Sequence, residues 1–91
     1  MRTLIAAIAL ALALPAAAAQ LATVTLSVKN MTCPVCPITV RKALQKVRGV
    51  VSAKVDLETK TAVVRYDPKL TTPQALIRAT TDAGYPSAVK N

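Results

Sequence analysis

The chain has 91 residues, twelve Lys/Arg against four Asp/Glu, two cysteines, two tyrosines, and no histidine, phenylalanine or tryptophan. That length accommodates one domain, and the missing histidines remove imidazole from any metal site. The net charge of +8 does not signal nucleic acid, because the chain has no aromatic platform on which bases could stack and no recognition motif.

Residues 1–19 read as a secretory signal peptide. Met1-Arg2-Thr3 is a short positive start, Leu4 to Leu14 is unbroken aliphatic sequence, and Pro15 with a run of alanines follows. Ala17 and Ala19 occupy the small positions of a cleavage site that leaves Gln20 as the new amino terminus. The apolar run of eleven residues is short for a membrane span, which needs about 20. Residues 20–91 are therefore expected to form an exported domain, not inserted in the membrane. A domain this small is marginal by buried area and often relies on a metal or a disulfide. Its core has to be aliphatic, since Tyr66 and Tyr85 are the only aromatics.

Thr23 to Lys29 alternates strictly, with Val24, Leu26 and Val28 on one face, as a half-buried strand does. Asn30 ends it, a residue that tolerates turn conformations. From Pro37 the period becomes helical: Val40, Ala43, Leu44 and Val47 share a face, and Arg41, Lys42, Gln45, Lys46 and Arg48 lie largely opposite. Proline suits a first helical turn, where an N–H is not needed. Gly49 is a natural stop. Val50 to Leu57 and Thr61 to Tyr66 are β-rich runs joined by the polar turn Glu58-Thr59-Lys60, which predicts an antiparallel hairpin. Thr72-Pro73 predicts an N-cap and first helical residue. Leu76, Ile77, Thr80 and Ala83 make the stripe of this second helix, and Gly84 stops it. Tyr85 to Val89 predicts a short last strand, confined to an edge by Pro86. The order β-α-β-β-α-β is the ferredoxin-like arrangement, an α+β fold with one four-stranded antiparallel sheet and both helices on one face.

Both cysteines sit at the first strand–helix junction, in Asn30-Met31-Thr32-Cys33-Pro34-Val35-Cys36-Pro37. A disulfide closing so small a loop constrains the unfolded chain little, so a structural staple is a weak reason for the pair. Free N–H groups and the positive dipole end at a helix start favour thiolate over thiol. Two thiolates without imidazole or carboxylate make a soft, low-coordination site suited to Hg(II) or Cu(I). Zinc prefers three or four protein ligands, and no Asp or Glu precedes Asp56. Two further readings of the pair are a resting disulfide without a metal role and a thiol-disulfide exchange protein. A thioredoxin domain, however, is larger and has a different element order.

Met31-Thr32-Cys33-Pro34-Val35-Cys36 resembles the MTCxxC signature of the heavy-metal-associated domain family, and the resemblance extends over essentially all of residues 20–91. The signal peptide, Cys36-Pro37-Ile38-Thr39-Val40 and Asp82-Ala83-Gly84-Tyr85-Pro86-Ser87 resemble the family's periplasmic mercuric-ion-binding branch in bacterial mercury resistance. That resemblance implies a periplasmic carrier and no enzyme; a monomer is the default expectation for a carrier whose site must be exposed. It would bind Hg(II) through Cys33 and Cys36 and pass it by thiol exchange to an inner-membrane mercury transporter. The alternative within the same fold is a periplasmic copper(I) chaperone. Two positions depart from the family pattern. Asn30 stands where glycine is usual, and Pro34 and Val35 stand where small residues are usual. Proline holds Cys33 to extended geometry and removes an N–H near the site, so a stiffer loop is expected.

Other residues have plainer roles beside their functional ones. Met31 is expected to plug the core beneath the loop, as the resemblance also implies, and Tyr66 to lie in the core. Tyr85 is either an edge-strand aromatic or, as in the family, a residue that packs against the site. Arg41, Lys42 and Lys46 form a solvated helix face that also lies next to the dithiol, where positive charge can steer docking.

Overall fold

The computed structural model describes residues 20–90, so the predicted signal peptide, residues 1–19, lies outside the described residues. The elements run β1 (Ala22–Val28), α1 (Cys36–Gln45), β2 (Val50–Asp56), β3 (Thr61–Tyr66), α2 (Pro73–Asp82) and β4 (Ser87–Val89). The strands form one sheet in the order β2-β3-β1-β4, with antiparallel pairing throughout. This is the expected ferredoxin-like α+β fold. β1 is interior, with β3 on one side and β4 on the other.

Register explains the core. Val24 pairs with Val64 and Leu26 with Ala62 across β1 and β3, while Ala53 and Val55 of β2 pair with the same two β3 residues. Alternate residues therefore stack on one face. Both helices bury their apolar stripes there. Leu26, Val28, Met31, Cys36, Val40, Leu44, Ala62, Val64, Tyr66 and Leu76 form one cluster, and each buried Leu or Val contributes about 1.5–3 kcal/mol relative to exposure. Tyr66 and Met31 take the core places expected of them.

Several boundaries differ from the sequence reading. α1 starts at Cys36 with Pro37 in its first turn as expected, but it ends at Gln45. Val47 therefore lies beyond the helix, half-buried in the turn that Gly49 closes with φ +99°. A Cβ on Gly49 would come within 2.7 Å of the Leu70 Cβ, so both the backbone angle and the space call for glycine. β2 stops at Asp56 because its carboxylate accepts the Glu58 N–H at 2.8 Å, which turns the chain and leaves Leu57 in the loop. Thr72 caps α2 as expected, its hydroxyl accepting the Ala75 N–H at 3.2 Å.

The end of α2 also differs. Ala83 is an exposed C-cap and not part of the buried stripe. Gly84 has φ +100°. The Tyr85 N–H donates to the Thr80 carbonyl at 2.8 Å, and the Gly84 N–H donates to the Thr81 carbonyl at 2.9 Å. This is a Schellman cap. It uses the Tyr85 amide, so β4 starts only at Ser87, two residues later than predicted. Beneath it, buried Thr80 donates its hydroxyl to the Ile77 carbonyl at 3.0 Å, and its oxygen lies 2.6 Å from the Ser87 hydroxyl. The helix is thereby tied to the strand that follows it.

Candidate metal centre

The chain leaves β1 at Val28 and turns at Asn30, whose φ is +67°. Asparagine is among the few non-glycine residues that take this left-handed conformation readily. Met31 then drops fully into the core, which anchors the loop from below. Cys33 emerges half-buried, and Cys36, the first residue of α1, is 4 % exposed.

The sequence pattern thus brings the two sulfurs together, and here they are joined as a disulfide with Cα atoms 5.2 Å apart. The Cys36 N–H donates to the Cys33 carbonyl at 3.1 Å, and the Cys33 N–H donates to the Cys36 Sγ at 3.2 Å. The helix start does not offer the free amides that the sequence suggested. The Ile38 and Thr39 N–H groups both donate to the Val35 carbonyl, at 3.0 and 3.2 Å, and Pro37 has no N–H. The amide aimed at sulfur is therefore that of Cys33, from the loop and not from the helix. A contact of this kind to a thiolate is a charge-assisted hydrogen bond.

Half-buried Cys33 and nearly sealed Cys36 are the two residues whose sulfurs could hold an ion once reduced. Among the described residues, no group of three or more His, Cys, Asp and Glu side chains could hold an ion together. Met31 points to the core, consistent with a plug and not a third ligand. Two soft sulfurs of this kind could hold an ion content with two-coordinate thiolate ligation.

Exposed apolar side chains flank Cys36 in the chain, and exposed basic ones follow along α1. Val35 is 61 % and Ile38 45 % exposed. Arg41, Lys42 and Lys46 are exposed along α1.

A second loop, between α2 and β4, is tied to the cysteine loop. The Lys29 N–H donates to the Pro86 carbonyl at 2.8 Å, and Asn30 Nδ2 donates to the Gly84 carbonyl at 3.2 Å. Between them Tyr85 is half-buried against the core cluster that includes Met31 and Cys36. It lies outside β4, so the edge-strand reading of this residue does not hold. The Asn30 side-chain bond was missed in the sequence. Its one signal was an amide side chain at a left-handed turn where glycine would serve.

Comparison with known proteins places these features. The heavy-metal-associated domain profile matches residues 25–86. The mercuric transport protein periplasmic component of Pseudomonas fluorescens is 53% identical over 91 residues, covering 100% of both chains. Among solved structures, oxidised MerP from Ralstonia metallidurans CH34 superposes with a TM-score of 0.77 at 56% identity, over 79% of this chain and 100% of that one. The mercury-bound form of MerP from the bacterial mercury detoxification system gives 0.70 at 53% identity, over 79% and 100%. A copper binding domain from HMA7, a P-type ATPase, gives 0.74 at 32% identity, over 76% and 93%.

Proposed function

The chain belongs to the heavy-metal-associated domain family, and on that premise we propose that it is a periplasmic Hg(II) carrier that passes its ion to an inner-membrane mercury transporter. The observation that carries this reading is the paired Cys33 and Cys36 at the mouth of an otherwise closed aliphatic core. Similarity to mercuric transport proteins over the whole chain, and to a mercury-bound structure over 79% of it, supports the choice of ion. The role is that of a carrier, not an enzyme.

The mechanism begins with the disulfide. A thiol reductant supplies two electrons. Its thiolate attacks Cys33 Sγ, the accessible sulfur, and the S–S bond breaks with Cys36 as the leaving thiolate. The Cys33 N–H already faces Cys36 Sγ, so the leaving charge is met by a donor. A second reductant thiolate then resolves the mixed disulfide and frees Cys33. Hg(II) entering the reduced site displaces any thiol protons and is held between the two sulfurs.

Release follows the same access. An incoming thiolate from the transporter adds to the ion on its open side, giving a three-sulfur intermediate. Cys33 is then the first protein ligand to leave, because Cys36 is fixed against the core. The absence of a third chelating group among the described residues leaves the ion open to that attack. Exposed Val35 and Ile38 supply an apolar contact patch for the partner, and Arg41, Lys42 and Lys46 supply long-range attraction to an acidic or anionic-lipid-bordered one.

A periplasmic copper(I) chaperone is the second reading, favoured by the likeness to a copper binding domain. The decisive experiment is a competition titration of the reduced protein, residues 20–91, offering Hg(II) and Cu(I) against a buffering dithiol, with stoichiometry read by mass spectrometry. One Hg(II) per chain, retained against the competitor and lost in Cys33→Ser and Cys36→Ser, supports the mercury carrier. Preferential Cu(I) retention transfers the reading to copper, and retention of neither leaves thiol-disulfide exchange.

A further inference from the structure

Residue 30 meets two separate demands. The backbone there is left-handed, with φ +67°, which glycine satisfies at no steric cost. The Asn30 side chain adds something the backbone does not need. Its Nδ2 donates across 54 residues of sequence to the Gly84 carbonyl at 3.2 Å. Gly84 is held rigidly by the Schellman cap, and its own N–H is occupied by Thr81. Its carbonyl is thus a fixed acceptor, directly before Tyr85.

The consequence is mechanical. The Lys29 N–H bond to the Pro86 carbonyl lies one residue beyond the β1–β4 ladder, whose last pair is Val28 with Ser87. The Asn30 side-chain bond carries that pairing one step further, so the two loops are tied at their tips as well as at their base. Tyr85 lies between the two acceptor residues and packs on the same cluster as Met31 and Cys36. We infer that Asn30 is a positioning residue that latches the Tyr85 loop to the cysteine loop and so slows the opening through which an incoming thiol reaches a bound ion. This inference rests on the carrier reading for its ion, but the latch itself is a property of the folded chain.

The latch joins two residues that are not themselves sulfur ligands, so it acts on the rate of exchange more than on the affinity. Losing one exposed hydrogen bond is expected to speed loop opening roughly three- to tenfold. Two variants isolate the carboxamide. Asn30→Gly keeps the left-handed turn and removes the donor. Asn30→Asp keeps turn propensity and size, and replaces the donor with an oxygen that faces the Gly84 carbonyl.

The test uses wild type, Asn30→Gly and Asn30→Asp, all reduced, with two readouts. The first is amide hydrogen exchange at Tyr85 and Cys33 in the metal-free protein. The second is the rate at which Hg(II)-loaded protein surrenders its ion to excess dithiothreitol, followed by stopped-flow absorbance, alongside equilibrium affinity and Tm. Faster exchange at both amides and faster ion transfer in both variants, with affinity within about twofold, is the expected result. Wild-type rates in both variants, even with a lowered Tm, would overturn the inference and leave Asn30 a purely structural turn residue. Failure of wild type to bind Hg(II) would sink the carrier reading instead, and the metal-free amide exchange would still decide whether the latch exists.

Discussion

The Cys33 N–H donates to the Cys36 Sγ at 3.2 Å, while Cys36 itself is nearly sealed against the core. The two cysteines are therefore inequivalent although they form one ring. Cys36 is the held sulfur, with a donor and apolar neighbours. Cys33 is the accessible one. After reduction, limiting iodoacetamide should alkylate Cys33 ahead of Cys36, read by peptide mass mapping. Equal labelling, or labelling of Cys36 first, would contradict this assignment.

The serine variants separate binding from folding. Cys33→Ser and Cys36→Ser should each lose stable two-sulfur binding of Hg(II). Denaturation of the reduced proteins should distinguish them. Cys33→Ser is expected to stay within about 0.5 kcal/mol of wild type, as at most partly exposed sites. Cys36→Ser buries a hydroxyl and should lose about 1–2 kcal/mol. Identical stabilities would mean that Cys36 is not part of the core.

Charge on α1 is expected to matter for encounter and not for holding the ion. Reversing Arg41, Lys42 and Lys46 to Glu together should slow Hg(II) delivery to transporter-containing membrane vesicles by roughly tenfold at low salt, with the difference shrinking as ionic strength rises. Hg(II) affinity of the isolated protein should not change. A salt-independent defect would point away from electrostatic steering.

Two glycines share a positive φ but not a neighbourhood. Gly49→Ala forces a Cβ to 2.7 Å from Leu70, whereas Gly84→Ala meets nothing within 4 Å. Urea denaturation should show a loss of about 2–4 kcal/mol for Gly49→Ala, from backbone strain and overpacking combined. Gly84→Ala should lose about 1–2 kcal/mol, from strain alone. The reverse order would show that the approach of Leu70 is easily relieved.

Thr80 is a buried hydroxyl with two partners, the Ile77 carbonyl and the Ser87 hydroxyl. Its single proton is committed to Ile77, so the Ser87 hydroxyl donates to it. Thr80→Val keeps the shape and strands the Ser87 group. A loss of about 1–2 kcal/mol in chemical denaturation is expected, and the Ser87→Ala double variant should recover part of it. Additive losses would argue against the pair.

Much of the fold was legible because its code is local. The alternation of Val24, Leu26 and Val28, the helical stripe through Val40, Ala43 and Leu44 and the Thr72-Pro73 start each specify an element without knowledge of its neighbours. β3 falls where its pattern placed it, from Thr61 to Tyr66. Val47, read as the last residue of the first helical stripe, falls beyond the end of α1 at Gln45; the other misread ends have one common cause. Leu57, Ala83 and Tyr85 continue an apolar pattern past the point where a hydrogen bond has already turned the chain, at Asp56 in one case and at the Gly84 cap in the other. The cysteine pair was legible from its spacing and its place after a strand. The source of the donor to sulfur was not, because it depends on which amides the helix start has already used. The Asn30–Gly84 contact joins residues far apart in sequence, and no periodicity reports such a pair.

The smallness of the ring that Cys33 and Cys36 close has a physiological consequence. Closing so few residues changes the unfolded chain's freedom little, and Met31 anchors the loop without help from the sulfurs. On the carrier reading, oxidation withdraws both proposed ion ligands while Met31 still holds the loop to the core. Chains oxidised in this way would then be a dormant stock and not damaged goods. Such a stock returns to service with two electrons, and needs neither a folding helper nor new synthesis.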